Sequence, residues 1–219
     1  MIFRINIAVR QPTTEIRRAY HQNNLSPASN SVFQGVTIPV HDPIQSIAIP
    51  AESLERLLAA AACGDPDANA AMGYLYENGI AVKQDIEKAV SYYESAAEQR
   101  HPIACCNLGS VLYRKRAFAE AVDAWHVALS IGCHYAFIGL GLASEHGNGM
   151  SRDLSRAYDY FCSAAEAGLI DGLLLKARCL RDGTGVKRNV LLARETFEKA
   201  AQQGSGIAYF ELATGIGDG

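Results

Sequence analysis

The chain has 219 residues, with 20 Lys+Arg against 23 Asp+Glu and a formal net charge of −3, and its isoelectric point lies near 6.1. Hydrophobic residues at 49% and charged residues at 20% are ordinary for a folded domain, which excludes dominant disorder and a basic, nucleic-acid-binding surface. The longest apolar run, residues 57–63, is far shorter than the ~20 residues a membrane helix needs.

The first fifty residues differ from the rest. Five of the seven prolines fall there, with a single glycine, Gly35, and four Arg stand against Glu15 and Asp42. The amino terminus, interrupted by Arg4 and Asn6, makes a poor signal peptide. Residues 5–9 and 36–40 alternate weakly, as short strands would, and 14–21 has the length of one short helix. Residues 23–31, rich in Asn and Ser around Pro27, are the most linker-like stretch. We therefore expect residues 1–50 to be an N-terminal extension, holding short strands or disordered, and residues 51–219 to form the folded body.

Past Pro50, which is well placed to start a helix, the pattern predicts an entry helix at 51–63. Helix pairs follow at 67–77/85–99, 103–115/117–130, 134–146/153–167 and 170–181/189–203, with a lone helix at 205–213. These boundaries come from an internal repeat. Ala60-Ala61 recurs as Ala96-Ala97, Ala164-Ala165 and Ala200-Ala201, and small residues recur at Gly73, Gly109, Gly141, Ala177 and Ala213. One register holds Ala89, Ala121, Ala157 and Ala193; another holds the bulky Tyr93, Trp125, Phe161 and Phe197. Small residues let helices approach closely, aromatics fill the space between them, and Asp85, Asp153 and Asn189 stand where a side-chain oxygen caps the second helix. Each unit reads helix A, a glycine-bearing loop around Gly79, Gly147 or Gly183, helix B, and a tight turn.

The string Ala68-x-x-x-Met72-Gly73-x-x-Tyr76-x-x-Gly79-x-x-Val82-x-x-Asp85-x-x-Lys88-Ala89-x-x-x-Tyr93-x-x-Ala96-Ala97 resembles the Sel-one-like repeat, a longer-looped relative of the tetratricopeptide repeat. The units at 135–168 and 171–204 are similar to it, whereas the unit at 103–132 has a loop four residues shorter and resembles a plain tetratricopeptide repeat. The resemblance covers about 52–213 and implies an all-α, right-handed solenoid of helix-turn-helix repeats that binds other proteins, without a shared catalytic chemistry.

The six cysteines, Cys63, Cys105, Cys106, Cys133, Cys162 and Cys179, include no Cys-x-x-Cys and no His at metal-ligand spacing. They are expected to be free thiols of a cytoplasmic protein, with zinc or disulfides as the competing readings. Standard nucleophile, zinc-protease and phosphate-loop motifs are missing from the sequence, and the Gly147-Asn148-Gly149 and Gly183-Thr184-Gly185 loops follow predicted helices rather than strands. Glu145-His146 is the best acid–base pair on offer, and a solvated helix end is its plainer explanation. No catalytic residue, metal or cofactor is expected.

Projecting helix A at 3.6 residues per turn, away from its Ala/Leu/Gly register, exposes four positions per unit on what is the concave face of the resembled folds. They are Asp67, Ala70, Tyr74 and Glu77; Ile103, Cys106, Ser110 and Tyr113; Tyr135, Ile138, Leu142 and Glu145; and Asp171, Leu174, Arg178 and Arg181. Tyr74, Ile103, Tyr113, Tyr135, Ile138, Leu142, Glu145, Leu174, Arg178 and Arg181 are the candidate partner-binding residues. The face is covered either by another protein or by residues 1–50. Expected is a protein–protein interaction module, an adaptor, regulator or immunity protein whose partner is a toxin or effector encoded nearby, with neither nucleic acid nor membrane as partner. The alternative is a hydrolase using a groove acid or thiol.

Overall fold

The structure, a computed structural model, describes residues 49–214. The strands expected at 5–9 and 36–40 and the helix at 14–21 lie outside the described residues, as does 215–219. Among the described residues every regular element is helical: α1 (Ala51–Ala62), α2 (Pro66–Asn78), α3 (Ile86–Glu98), α4 (Pro102–Arg114), α5 (Phe118–Ser130), α6 (Ala136–His146), α7 (Leu154–Glu166), α8 (Ile170–Asp182), α9 (Val190–Gln202) and α10 (Gly206–Ala213). The even-numbered helices are the A helices of the repeat and α3, α5, α7 and α9 the B helices. The chain divides into two compact units between Val111 and Leu112, inside α4.

In the first unit α2 packs against both α1 and α3. The Asp65 and Asp85 carboxylates accept from the backbone N–H groups of Ala68 and Lys88 at 2.8 and 3.1 Å, capping α2 and α3. Tyr93 is fully buried over Gly73, where a Cβ would lie 2.6 Å from the ring. Its hydroxyl donates to Glu77 Oε2 at 2.7 Å and accepts from Asn107 Nδ2 at 3.2 Å, so the buried phenol is satisfied. The buried His101 caps the start of α4: its Nδ1 accepts from Ala104 N–H at 3.1 Å. That bond fixes the proton on Nε2, which donates to Asp67 Oδ1 at 3.0 Å.

The second unit repeats the arrangement. Asp153 and Asn189 cap α7 and α9 through the N–H groups of Arg156 and Leu192, at 2.9 and 3.0 Å. At α5, behind the shortened loop, Ala117 supplies no side-chain cap. Phe161 is buried over Gly141, where a Cβ would stand 2.3 Å from Cε1, and Trp125 is buried over Gly139, 2.3 Å from Cε2. Phe197 closes a core with Leu173, Leu174, Ala177, Ala200, Ala201 and Ala208. The second glycine of each Gly-x-Gly loop sits against the first turn of the preceding B helix. A Cβ at Gly149 would lie 2.2 Å from the Phe118 carbonyl oxygen and one at Gly185 1.9 Å from that of Leu154, and both residues have positive φ (77° and 71°). Those loops are packing devices, and only glycine fits them.

Candidate functional site

The A helices carry the expected partner face, and the structure narrows it. The second position of every predicted stripe is buried: Ala70 is 0% exposed, Cys106 1%, Ile138 3% and Leu174 5%. Ile138 and Leu174 are therefore core residues and are corrected out of the contact surface. In the second unit α6 touches both α5 and α7, and α8 touches both α7 and α9, as α2 touches α1 and α3 in the first. A helix wedged between two neighbours keeps a stripe narrower than the one a projection from a single buried register leaves. Half-exposed positions remain at Tyr74 and Ile103 in the first unit, and at Tyr113, Tyr135, Leu142, Glu145, Arg178 and Arg181 in the second.

Several of these are already engaged within the second unit. Tyr113 packs edge-on against Phe118 and obliquely against Trp125, with ring centroids 5.0 and 5.5 Å apart, and its hydroxyl accepts from Asn148 Nδ2 at 2.8 Å. Leu142 packs on the Phe161 and Cys179 cluster. The two arginines converge on one carboxylate of α10. Arg178 donates through Nε and Nη2 to Glu211 Oε1 at 3.0 and 2.7 Å, and Arg181 donates through Nη1 to Glu211 Oε2 at 2.8 Å. Arg181 also forks onto Asp182, at 2.8 and 3.0 Å.

The electrostatics follow that geometry. Partial burial works to raise the Glu211 pKa, yet the hydrogen bonds and charges of Arg178 and Arg181 outweigh it and hold the carboxyl below its ordinary range. Asp182 is held low chiefly by its hydrogen bonds from Arg181. This corner of the predicted partner face is thus two guanidiniums clamped to two carboxylates, neutral overall, that tie α10 to α8.

The Cys179 thiol and the Glu145–His146 pair are not poised for hydrolysis. Burial first, then the nearby charges of Glu145 and Asp182, pushes the Cys179 thiol up to about 12, so it stays protonated and non-nucleophilic near neutral pH. Glu145 and His146 stand 4.0 Å apart, but His146 Nδ1 turns back to its own helix and donates to the Leu142 carbonyl at 2.8 Å. Among the described residues no group of three or more His, Cys, Asp or Glu is placed to hold a metal ion, and no helix is long and apolar enough to cross a membrane.

Two features of this face escaped the sequence reading. Gly139 carries Trp125 and belongs to none of the four registers, because Trp125 reaches the following A helix. Glu211, the residue that neutralises the arginines, lies 30 and 33 positions away from them on the lone terminal helix, where the pair repeat offers no counterpart.

Helix pairs recurring with a small residue on A under an aromatic on B define an α-solenoid of the tetratricopeptide-like class. Residues 66–101, 135–169 and 177–205 match the Sel1 repeat, and the chain belongs to the Sel1-repeat family. The stretch passed over, 102–134, contains the unit whose loop is shorter. Among solved structures the chain is similar to a Sel1 repeat protein from Oxalobacter formigenes, at 27% identity and a TM-score of 0.68, over 72% of this chain and 64% of that one. It is similar, too, to a protective antigen present in uropathogenic Escherichia coli strains and displaying an SLR fold, at 29% identity and a TM-score of 0.63, over 72% of this chain and 34% of that one. Helicobacter pylori cysteine rich protein B is 30% identical over 58% of this chain and 94% of that one, with a TM-score of 0.45. The chain therefore spans less than two thirds of the length of the first two.

Proposed function

We propose that this chain is a protein-binding module acting through the half-exposed residues of its A helices. In the first unit these are Tyr74 and Ile103; in the second, Tyr135 and Glu145 with the exposed edges of Tyr113 and Leu142. Support comes from the fold, since Sel1 repeats are a protein-interaction scaffold. The observation that carries the choice of face is the neutralised corner at Arg178 and Arg181. With Arg178 held by Glu211 and Arg181 shared between Glu211 and Asp182, the half-exposed face of the second unit is chiefly aromatic and aliphatic, with the carboxylates Glu145 and Asp171 beside it. That chemistry suits an apolar, weakly basic protein surface better than an acidic tail, which unpaired arginines would grip.

The role we favour is that of a cytoplasmic adaptor, regulator or immunity protein, its partner a toxin or effector encoded nearby. The test is to co-express the chain with proteins encoded beside its gene and to measure affinity by calorimetry for the parent and for a Tyr135→Ala, Glu145→Arg variant. Leu142 is a poor probe because it also packs on the Phe161 cluster. We expect binding at least ~tenfold weaker with an unchanged melting temperature, in line with anchors worth ~2 kcal/mol. Unchanged affinity would remove this face from the interface.

A further inference from the structure

In each long loop one side chain reaches back to the last turn of the A helix before it. In the first unit that side chain is uncharged: Gln84 Nε2 donates to the Glu77 carbonyl at 2.8 Å. In the second unit the same place holds arginine. Arg152 Nε donates to the Glu145 carbonyl at 3.1 Å, and Arg188 Nε to the Arg181 carbonyl at 3.0 Å. The bond that closes the loop therefore needs no charge, and the two guanidiniums bring their Nη groups as a surplus. Both arginines are exposed, and their Nη groups make no hydrogen bond or ion pair among the described residues.

Further cations gather beside them. Gly149 packs on the start of α5 and Gly185 on the start of α7, so the turn at 115–117 and the loops at 147–153 and 183–189 succeed one another along one edge of the second unit. Lys115, Arg116, Arg152, Arg156, Lys187 and Arg188 stand on that edge, all exposed. Its carboxylates are fewer: Asp153 caps α7 and Asp182 is held by Arg181, which leaves Glu120 and Glu145. A cation suits the C-terminal end of a helix, which accounts for Arg152 and Arg188. Arg156 has no such reason, because it sits in the first turn of α7, where the helix dipole disfavours positive charge. Its ion pair with Asp153 is long, at 4.0 Å, and exposed.

We propose that this loop edge of the second unit binds an acidic segment of another protein, whose carboxylates the Arg152 and Arg188 guanidiniums take. Charge complementarity selects that occupant. A guanidinium already fixed through Nε presents its Nη donors to a carboxylate with little further ordering. Residues 1–48 bring Arg4, Arg10, Arg17 and Arg18 against Glu15 and Asp42, so that stretch adds base rather than acid. The chain as a whole carries −3, which opposes a long polyanion such as a nucleic acid once it runs beyond the edge. Exposed charges make the contact weak and salt-dependent. The edge is distinct from the half-exposed face of the A helices, and the proposal does not rest on that reading.

The test is fluorescence anisotropy of a labelled oligoglutamate peptide with the full chain, at low and at physiological ionic strength. The peptide is expected to bind, and to bind less tightly as salt rises. Arg152→Gln with Arg188→Gln keeps the loop-closing bond, as Gln84 does. That variant should raise the dissociation constant at least ~tenfold with the helical signal intact. Arg194→Gln with Lys199→Gln removes the same charge from exposed positions of α9 and should leave the constant within ~twofold. Failure to bind at low salt, equal losses in the two variants, or tighter binding of a thymidine oligonucleotide of matched charge would overturn the proposal.

Discussion

Gly141→Ala puts the aromatic-over-glycine register to a direct test, because two effects of opposite sign meet there. Alanine in place of a helix-interior glycine stabilises by about 1 kcal/mol through backbone entropy. Against that, the new methyl would sit 2.3 Å from Phe161 Cε1 and 2.7 Å from Cδ1, where carbon atoms prefer ~3.5–4.0 Å. The ring must retreat by more than an ångström, and it is buried in a cluster with Ala157 and Cys179, so the overpacking cost belongs near the upper end of the ~1–3 kcal/mol range. The net expectation is a loss of ~2 kcal/mol, or several degrees in melting temperature for a chain of this size. Urea melts of Gly141→Ala, Phe161→Leu and the double variant form a cycle in which the smaller leucine relieves the clash. The double variant should be more stable than additivity predicts by at least ~1 kcal/mol. A Gly141→Ala protein that melts at or above the parent, or strictly additive changes, would refute the register.

Trp125→Ala should lower stability by ~3–5 kcal/mol in the same melts, since it empties the space over Gly139 and unseats Tyr113. Glu211→Gln removes the charge that two guanidiniums share and should cost ~1–3 kcal/mol, visible as faster amide exchange in α10. The pH dependence has a definite sign: the Glu211 and Asp182 pKa values are depressed in the folded chain, so their contribution is present above the ordinary carboxylate range and is lost as pH falls through the depressed values. In the Glu211→Gln variant that acid-side loss should be smaller, as acid titration followed by circular dichroism will report. The six cysteines carry thiols rather than disulfides, so all six should alkylate in denatured, unreduced protein; in native protein the exposed Cys63 should react first and Cys179 only on unfolding, as mass spectrometry can follow.

The helix pairs were legible because each one is specified several times over. A cap at Asp85, Asp153 or Asn189, an alanine four residues before the aromatic, and the aromatic itself all mark the same B helix, so an error in one mark is corrected by the others. The shortened loop before α5 was legible for the same reason: its cap is missing where the spacing contracts, and Ala117 stands there without a side-chain bond. Gly139 was not legible, because its partner Trp125 belongs to the B helix of the preceding pair and the registers compare like positions only.

The contact face was less legible, for a reason that lies in the packing. Periodicity tells which side of a helix meets its strongest neighbour, and for α6 that leaves Ile138 facing away from the Ala136, Leu140 and Gly141 line. A second neighbour on the other flank changes the result, and its reach depends on side-chain size. Position 138 is isoleucine and 174 leucine, large enough to touch that neighbour, while Ala70 at the same place is small enough to be covered by it, and all are buried. Charge adds a further turn. Arg178 and Arg181 stand one turn apart on α8, and nothing within the repeat period contradicts their reading as partner-binding residues. The contradiction comes from Glu211, which supplies the carboxylate from within the chain. Removing it would therefore leave Arg178 without its carboxylate while Arg181 keeps Asp182, so Glu211→Ala is the single change that should shift this corner from structural towards anion-binding, with a melt lowered alongside.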